Sequence, residues 1–360
     1  MAKAPIKITN ELSREDVKKM LKSIKGSQSI IGKEEITELC FVESLGTDIP
    51  TLDFIGGLTK NRVNLLAGNP SSCKSTLTQQ IIPQIINEIK ANNENKFILY
   101  FDIEGAYDVK YTTKLGIDQD YMIIKRSIKV MEDCFKEAAD LMKTGFIKAV
   151  IFDSFDAMVP RKISNSDFGE TMGSQSGAIA NHFPSVFSEI ETQKVTCFII
   201  KQARVKFGVQ SHGEVITFNG GKALRHICDN IFILKRKSNL NLTYVPIAIK
   251  AEKTRSSRMG ITLELPLGEC GIDKVRDLMN ICISVGLVKG GSWPTFTAKD
   301  GTVYQEHGSD KFLKLIKENS EIYKELKDLF YSEYVNNDEL IVASVDDFVV
   351  DLDNELVAED

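Results

Sequence analysis

The chain has 360 residues, of which 42% are hydrophobic and 26% charged, and its formal net charge at pH 7 is −5. These values are typical of a soluble globular protein with room for one large α/β domain and a smaller one, and no apolar run reaches the roughly 20 residues that a membrane span needs. The seven cysteines are never spaced as C-x-x-C, the four histidines are dispersed, and the N-terminus lacks a signal-peptide core, so we expect reduced thiols, no zinc site and a cytoplasmic location.

The hydrophobic pattern predicts one amphipathic helix followed by alternating strands and helices. Residues 11–24 place Leu12, Val17, Leu21 and Ile24 on one helical face. The alternating elements are a strand at 63–67, a helix at 74–90, a strand at 97–102, a helix at 132–144, a strand at 148–153, a helix at 176–193 and a strand at 195–201. Strands follow at 231–235, 244–250 and 261–265, and residues 272–335 are predicted to be helical. This alternation predicts βαβ units with a parallel sheet covered by helices on both faces.

The strand at 63–67 leads into a loop of small and polar residues and then into the helix at 74–90. This is the phosphate-loop arrangement, in which backbone N–H groups and the helix dipole hold phosphates. We expect Lys74 to reach the β- and γ-phosphates and the Ser75 hydroxyl to bind magnesium. The predicted nucleotide-binding residues are Gly68, Asn69, Pro70, Ser71, Ser72, Cys73, Lys74, Ser75 and Thr76.

Cys73 stands where the phosphate-loop motif has a glycine. Glycine adopts positive φ without steric cost, whereas other residues rarely do. Cys73 therefore fits only if its φ is negative or if the loop tolerates strain.

Polar residues follow the later strands of the predicted sheet. Asp153 ends the apolar strand at 148–153 in the Walker B pattern, and we expect it to hold magnesium, through water. After the strand at 97–102, either Asp102 or Glu104 is placed to polarise a water that attacks the γ-phosphate, and spacing does not choose between them. Gln202 follows the strand at 195–201 and is a candidate sensor of the γ-phosphate.

Charge is unevenly distributed along the chain. Residues 328–360 hold eleven Asp or Glu and no Lys or Arg, so residues 1–327 carry a net charge of +6. Residues 201–258 hold twelve Lys or Arg against three acids, and the loop Ala203–Gly220 adds aromatic residues. Basic and aromatic residues together suggest neutralisation of a nucleic-acid backbone with stacking on bases. An acidic tail is typical of nucleic-acid binders, although a solvated, disordered end is the simpler interpretation.

The order of these motifs resembles the RecA family of recombinases, over roughly residues 44–330. The matching segments are Thr47–Asp53 with Gly56–Leu58, Phe101–Asp108 with Tyr111 and Lys114–Asp118, Gln202–Val209, Gly220–Leu224, Gly268–Asp273 and Gly290–Trp293.

The resemblance implies ATP and Mg²⁺ as cofactors, with ATP lying between adjacent subunits. It favours Glu104 as the group that activates water, and it assigns Asp108 and Tyr111 to the adenine. It also implies that Lys253 reaches the γ-phosphate bound by a neighbouring subunit, with a second lysine position near Lys250 or Ala251.

The resemblance further implies a homo-oligomeric helical filament on single-stranded DNA that pairs with homologous duplex DNA. Single-strand-binding proteins and loading proteins are further expected partners. The residues expected to contact DNA are Met172, Gly173, Arg204, Lys206, Phe207, Gly220, Gly221, Lys222 and Arg225.

The expected fold is α/β, a RecA-like P-loop ATPase core with a mostly parallel central sheet. We divide the chain into an N-terminal helical oligomerisation segment at 1–34, the core with its DNA-binding loops at 35–267, a small C-terminal α/β domain at 268–335 and an acidic disordered tail at 336–360. A bulky residue in place of the loop glycine, together with Ala251–Arg255, also resembles the UvsX-type recombinases of tailed phages. The expected location is then the cytoplasm of a bacterial host.

The expected activity is DNA-dependent hydrolysis of ATP to ADP, with DNA strand exchange. Two alternatives stay open. A RecA-like ring helicase would have a similar core, although it usually carries a larger domain ahead of that core. A regulatory family member that binds DNA with little ATP turnover is compatible with Cys73. A nucleotide kinase is a remote third possibility, because the basic loop and acidic tail do not favour it.

Overall fold

A computed structural model describes residues 43–164, 174–205, 216–217, 221–237, 243–255 and 258–336. The helix predicted at 11–24 and most of the acidic tail lie outside these residues. The strands are β1 Ser44–Leu45, β2 Leu58–Thr59, β3 Val63–Gly68, β4 Phe97–Asp102, β5 Met122–Lys125, β6 Ile147–Asp153, β7 Thr196–Gln202, β8 Arg204–Val205, β9 Ile216–Thr217, β10 Asn230–Arg236, β11 Val245–Lys253, β12 Thr262–Gly268, β13 Gly271–Ile272, β14 Thr295–Thr297 and β15 Val303–Gln305.

The α-helices of the same residues connect these strands. They are α1 Pro50–Phe54, α2 Lys74–Ala91, α3 Val109–Lys114, α4 Met131–Met142, α5 Arg161–Ser164, α6 Ser174–Gln193, α7 Gly221–Ile227, α8 Lys274–Ser284, α9 Ser309–Glu318 and α10 Ser320–Phe330. Short 3₁₀ turns lie at Gln119–Tyr121 and Phe155–Ala157, and a π-helical turn lies at Tyr331–Val335. Within these residues, no helix has both the length and the apolar character needed to span a bilayer.

The central sheet has nine strands in the order β13-β12-β11-β10-β3-β7-β6-β4-β5. Neighbouring strands from β10 to β5 are parallel, and those from β10 to β13 are antiparallel. This confirms the predicted α/β fold with a mostly parallel sheet. Strand β3 lies near the middle, so the loop after it leaves the sheet between two well-supported neighbours.

Side chains alternate between two apolar layers, one on each face of the sheet. Leu66 and Tyr100 point into the layer formed with α2 and with helices α8 to α10. Leu65 and Phe101 point into the other layer, formed with α4 and α6. The parallel strands are apolar on both faces because helices cover both faces. The C-terminal helices thus share an apolar cluster with α2. The domain boundary proposed at residue 268 stays a prediction.

The region predicted to be helical, 272–335, also contains two strands. The structure places the hairpin β14–β15 between α8 and α9, with Phe296 opposite Tyr304. The two strands have three residues each, which is too short for the two-residue period to show in the sequence. Phe296 is fully buried and Tyr304 stacks on it against the same apolar cluster, so the hairpin is held by packing on the rest of the fold.

Asp277, on α8, is a carboxylic acid buried beneath α1. Its Oδ2 accepts a hydrogen bond from the Thr51 backbone N–H at 2.8 Å, whereas its Oδ1 has no hydrogen-bond partner among the described residues. Burial raises the pKa of the Asp277 carboxyl to about 7, and the charges of Asp53 and Asp273 add to the shift. The folded chain therefore keeps a proton on Asp277 that the unfolded chain releases.

This buried acid makes stability depend on pH. Below about pH 4 Asp277 is protonated in both the folded and the unfolded chain, and above about pH 7 it is ionised in both. The free energy of unfolding should therefore fall as the pH rises between these limits. The maximal slope for one group is about 1.4 kcal/mol per pH unit. We expect Asp277→Asn to flatten this slope in urea unfolding measured across the window. Asp310→Asn, which changes an exposed carboxylate on α9, should leave it unchanged, and an equal slope in all three proteins would contradict the assignment.

Candidate nucleotide-binding site

The phosphate loop begins at the end of β3 and closes at the start of α2. Gly68 pairs in register with Gln202 of β7 on one side and with Leu234 of β10 on the other. A Cβ atom at Gly68 would lie 2.2 Å from the Leu234 carbonyl oxygen and 2.5 Å from the Ser72 hydroxyl oxygen. The backbone carbonyl cannot move without breaking the sheet, so glycine is required here.

Cys73 caps α2 in the left-handed region, with a φ of 72°. Of the two conditions stated for this residue, strain is therefore the one that applies, and positive φ costs a non-glycine residue roughly 1–2 kcal/mol. Cys73 is 8% exposed, and burial raises the pKa of its thiol to about 12. Cys73 thus serves as a small apolar side chain and not as a reactive thiolate.

Relief of this strain should stabilise the folded protein. Because the folded chain itself holds Cys73 at positive φ, we expect Cys73→Gly to raise the free energy of unfolding by up to about 1–2 kcal/mol, less the entropy that glycine adds to the unfolded chain. Cys73→Val should be less stable than the parent, since β-branched residues tolerate positive φ least. Urea unfolding of the three proteins measures the order, and a lower stability of Cys73→Gly would show that packing of the buried thiol outweighs the strain.

Lys74 is the first residue of α2 and lies across the loop. Its Nζ donates to the Asn69 carbonyl oxygen at 2.7 Å and to the Ser72 hydroxyl at 3.3 Å. Burial lowers the pKa of Lys74, while the negative charges of Asp153 and Glu104 oppose that shift. The ammonium group is therefore held by the loop itself, and the carboxylates at the ends of β6 and β4 favour its charged form, which is the form that binds phosphate.

Asp153 ends β6 and faces the start of α2. The Ser75 hydroxyl donates to its Oδ1 at 3.1 Å, and the Tyr100 hydroxyl donates to its Oδ2 at 2.5 Å. Burial raises the pKa of Asp153, and the charges of Glu104 and Asp102 raise it further. A hydroxyl beside a buried carboxylate is a set of hard oxygen ligands, so Ser75 and Asp153 fit Mg²⁺.

Asp102, which ends β4, and Glu104, which follows it, have different environments. Asp102 is buried, and its carboxylate accepts hydrogen bonds from the backbone N–H groups of Ala106 and Tyr107 and from Nε of Arg126. Glu104 is exposed and accepts a hydrogen bond from the Ser154 hydroxyl. Asp102 therefore shapes the loop after β4, and Glu104 is the acid of the two that water can reach.

The end of β7 is joined to the segment after β6 by an ion pair between a buried lysine and a half-buried aspartate. Nζ of Lys201, which is fully buried, binds Oδ1 of Asp156 at 2.6 Å, and the backbone N–H of Gln202 donates to Oδ2 at 2.6 Å. The Gln202 side chain is exposed. Sequence analysis named Gln202 but missed Asp156 and Lys201, although a lysine that interrupts an apolar strand was a usable signal.

The residues assigned to the adenine lie at the start of α3. Asp108 is the N-cap, and its carboxylate accepts from the backbone N–H groups of Lys110 at 2.7 Å and Tyr111 at 3.2 Å. These bonds stabilise the first turn of the helix. The adenine role of Asp108 and Tyr111 stays a prediction.

Lys253 ends β11 beside the C-terminus of α7. Its Nζ donates to the carbonyl oxygens of Arg225 at 2.8 Å and Cys228 at 2.6 Å, where a cation complements the helix dipole. Arg225 is exposed and pairs with Glu252 at 3.0 Å. A role for Lys253 at a neighbour's phosphate requires it to release these carbonyls, and that role stays a prediction.

Most residues assigned to DNA contact lie outside the described residues. These are Met172, Gly173, Lys206, Phe207 and Gly220. The structure places the backbone of Arg204 at the start of β8, which pairs with β9, and Gly221 and Lys222 at the start of α7. Their contacts with DNA stay predictions.

A phosphate loop at the end of a central parallel strand, with carboxylates at the ends of two neighbouring strands, defines a P-loop nucleotide-binding fold. Comparison with protein families matches residues 13–257 to the RecA N-terminal domain, which is more than half of the chain. The chain therefore belongs to the RecA family.

Several curated proteins are similar to this chain over most of its length. The protein named RecA from Chlorobium chlorochromatii is 26% identical over 296 residues, which cover 79% of this chain and 80% of that protein. RecA from Bdellovibrio bacteriovorus is 27% identical over 338 residues, with coverage of 89% and 86%. RecA from Oleidesulfovibrio alaskensis is 24% identical over 333 residues, with coverage of 89% and 92%.

Proposed function

We propose that this protein is an ATP-dependent homologous recombinase. It forms helical filaments on single-stranded DNA, pairs that strand with homologous duplex DNA and exchanges strands, in recombination, repair and recombination-dependent replication. The observation that carries the proposal is the geometry around Lys74, Asp153 and Glu104, which meet at the carboxyl ends of β3, β6 and β4 in a chain of the RecA family.

The residues of the site have separate roles in ATP hydrolysis. Lys74 and the loop N–H groups bind the phosphates, and Ser75 with Asp153 would hold Mg²⁺, which when bound neutralises charge on the phosphates. Glu104 orients the attacking water and accepts its proton, with its carboxylate held by Ser154. Gln202 ends β7 at the same edge of the sheet, and the bond of its N–H to Asp156 links it to the turn after β6.

DNA is held without reading its sequence. The basic residues of 201–258 neutralise phosphates, and Phe207 and Met172 separate bases into groups that are available for pairing. Base pairing itself then tests homology. ATP lies between subunits of the filament, with Lys253 of the next subunit at the γ-phosphate, and hydrolysis weakens the DNA-bound state. The absence of glycine at position 73, where the chain has Cys73, supports a place among the UvsX-type phage recombinases, in the cytoplasm of a bacterial host.

Strand exchange tests the proposal directly. The assay mixes the full-length protein with single-stranded DNA, a homologous duplex, ATP and Mg²⁺, and it includes a non-homologous duplex as the control. We expect product that requires both ATP and homology. ATP-dependent DNA binding without product would overturn the recombinase function, and ring-shaped particles in micrographs would then favour the helicase.

A regulatory function is the second candidate, and the φ of 72° at Cys73 favours it. A strained phosphate loop can bind nucleotide yet turn it over slowly. Steady-state ATP hydrolysis with saturating single-stranded DNA separates the two candidates, because a recombinase that depends on turnover hydrolyses ATP under these conditions and a regulatory protein scarcely does.

A further inference from the structure

Tyr100 places a hydroxyl group within the apolar part of strand β4, ahead of Asp102. Its side chain is 1% exposed. The hydroxyl donates a hydrogen bond to Oδ2 of Asp153 at 2.5 Å and accepts one from Nε2 of Gln79 at 3.3 Å. A tyrosine hydroxyl has a single proton, so the bond received from the Gln79 amide directs that proton to Asp153.

The two oxygens of Asp153 are therefore not equivalent. Oδ1 accepts the hydrogen bond of Ser75 at 3.1 Å, on the side of the phosphate loop, whereas Oδ2 is engaged by Tyr100 from within the sheet. Gln79 lies one helical turn after Ser75 on α2. Helix α2, strand β4 and strand β6 are thus joined by one hydrogen-bonded chain that runs Gln79, Tyr100, Asp153, Ser75.

A carboxylate with one engaged oxygen suits some cations better than others. Mg²⁺ requires near-octahedral geometry, retains several waters and takes few carboxylate oxygens. Ca²⁺ accepts more ligands and often binds both oxygens of one carboxylate. An Asp153 that offers Oδ1 alone matches the first pattern.

We propose that Tyr100 is a positioning residue that sets the metal specificity of the nucleotide site. Its hydroxyl holds Oδ2 of Asp153, so that Oδ1 and Ser75 serve a cation that binds one carboxylate oxygen, and this favours Mg²⁺ over Ca²⁺. The inference rests on the proposed nucleotide site. It assigns Gln79 a supporting role, because the Gln79 amide fixes the direction of the tyrosine proton.

Tyr107 provides a matched control in the same part of the fold. Its ring packs edge-on against that of Tyr100 at 5.1 Å, but its hydroxyl donates to Oε1 of Gln119 at 2.9 Å. Tyr107→Phe and Tyr100→Phe therefore remove the same atom from neighbouring rings, and of the two only Tyr100→Phe removes a hydroxyl bonded to Asp153.

The experiment measures ADP binding to the full-length protein by isothermal titration with Mg²⁺, with Ca²⁺ and with EDTA. Loss of a residue that orients a metal ligand typically costs about 10–100-fold in metal affinity. We expect Tyr100→Phe to weaken Mg²⁺-dependent ADP binding by this factor and to lower the ratio of Mg²⁺- to Ca²⁺-supported affinity. Binding in EDTA should not change, and Tyr107→Phe should match the parent. Gln79→Met should shift the ratio in the same direction by a smaller factor.

The outcomes separate this inference from the proposed function. A parental Mg²⁺/Ca²⁺ ratio in a folded Tyr100→Phe would overturn the inference, and if that variant does not fold, a parental ratio in Gln79→Met would overturn it. Absence of Mg²⁺-dependent ADP binding in the parent would overturn both the nucleotide site and the inference. A parent that binds Mg·ADP but exchanges no strands would overturn the recombinase function alone and leave the role of Tyr100 to be decided by the ratio.

Discussion

Lys74→Ala is expected to abolish nucleotide-dependent DNA binding. Loss of one partner of a buried charged contact costs about 2–5 kcal/mol, which corresponds to a fall in ATP affinity of roughly 30- to 5,000-fold. Lys74 is 8% exposed and its ammonium group is held by Asn69 and Ser72, so its replacement removes the cation that the loop groups hold in place. Fluorescence anisotropy of labelled single-stranded DNA, with and without ATP, measures the effect.

A lysine at the other end of the same helix provides the control. Lys90 lies in the last turn of α2, where it pairs with Asp118 at 2.7 Å on the surface. Lys90→Ala removes an identical side chain from the same helix and should leave ATP-dependent DNA binding unchanged, because exposed ion pairs contribute little. Filaments formed by Lys74→Ala at the parental ATP concentration would show that nucleotide binding does not drive assembly.

The parallel core could be predicted because its signals are local. Apolar runs of strand length that alternate with amphipathic helices predicted β3, β4, β6 and β7 within two residues of their ends. The phosphate loop was equally evident, since its small residues lie between a strand and a helix. Elements whose stability comes from packing on distant segments were missed, including α1, β5 and the hairpin β14–β15.

The details of the site depend on tertiary contacts that no sequence pattern records. Asp102 and Glu104 are two residues apart, and only the fold brings Arg126 to the first and Ser154 to the second. Tyr100 lies within the apolar run of β4, and its hydroxyl meets Asp153 only because β4 pairs with β6. The φ of Cys73 likewise follows from the way that the loop joins β3 to α2.

The different environments of Asp102 and Glu104 lead to the second large predicted effect. Glu104→Gln keeps the size and the hydrogen-bonding capacity of the side chain but removes its ability to accept a proton. Loss of a general base lowers turnover by about 10²–10⁴-fold, so we expect DNA-stimulated ATP hydrolysis to fall by this factor while Mg·ATP binding stays near the parental value. Phosphate release, measured beside nucleotide titration, distinguishes loss of chemistry from loss of binding.

Asp102→Asn is the matched variant, and it should lose stability while it keeps most of its turnover. Asp102 accepts bonds from two backbone N–H groups and from Arg126, and an amide in its place loses the ion pair and faces donors with its own N–H₂ group. We expect a loss of stability of about 1–3 kcal/mol in urea unfolding, with turnover reduced only as far as the loop after β4 is displaced.

If hydrolysis is required to release DNA, Glu104→Gln filaments should also persist on single-stranded DNA after excess competitor is added, whereas Asp102→Asn filaments should not. Parental turnover in Glu104→Gln would place the catalytic base elsewhere at this edge of the sheet.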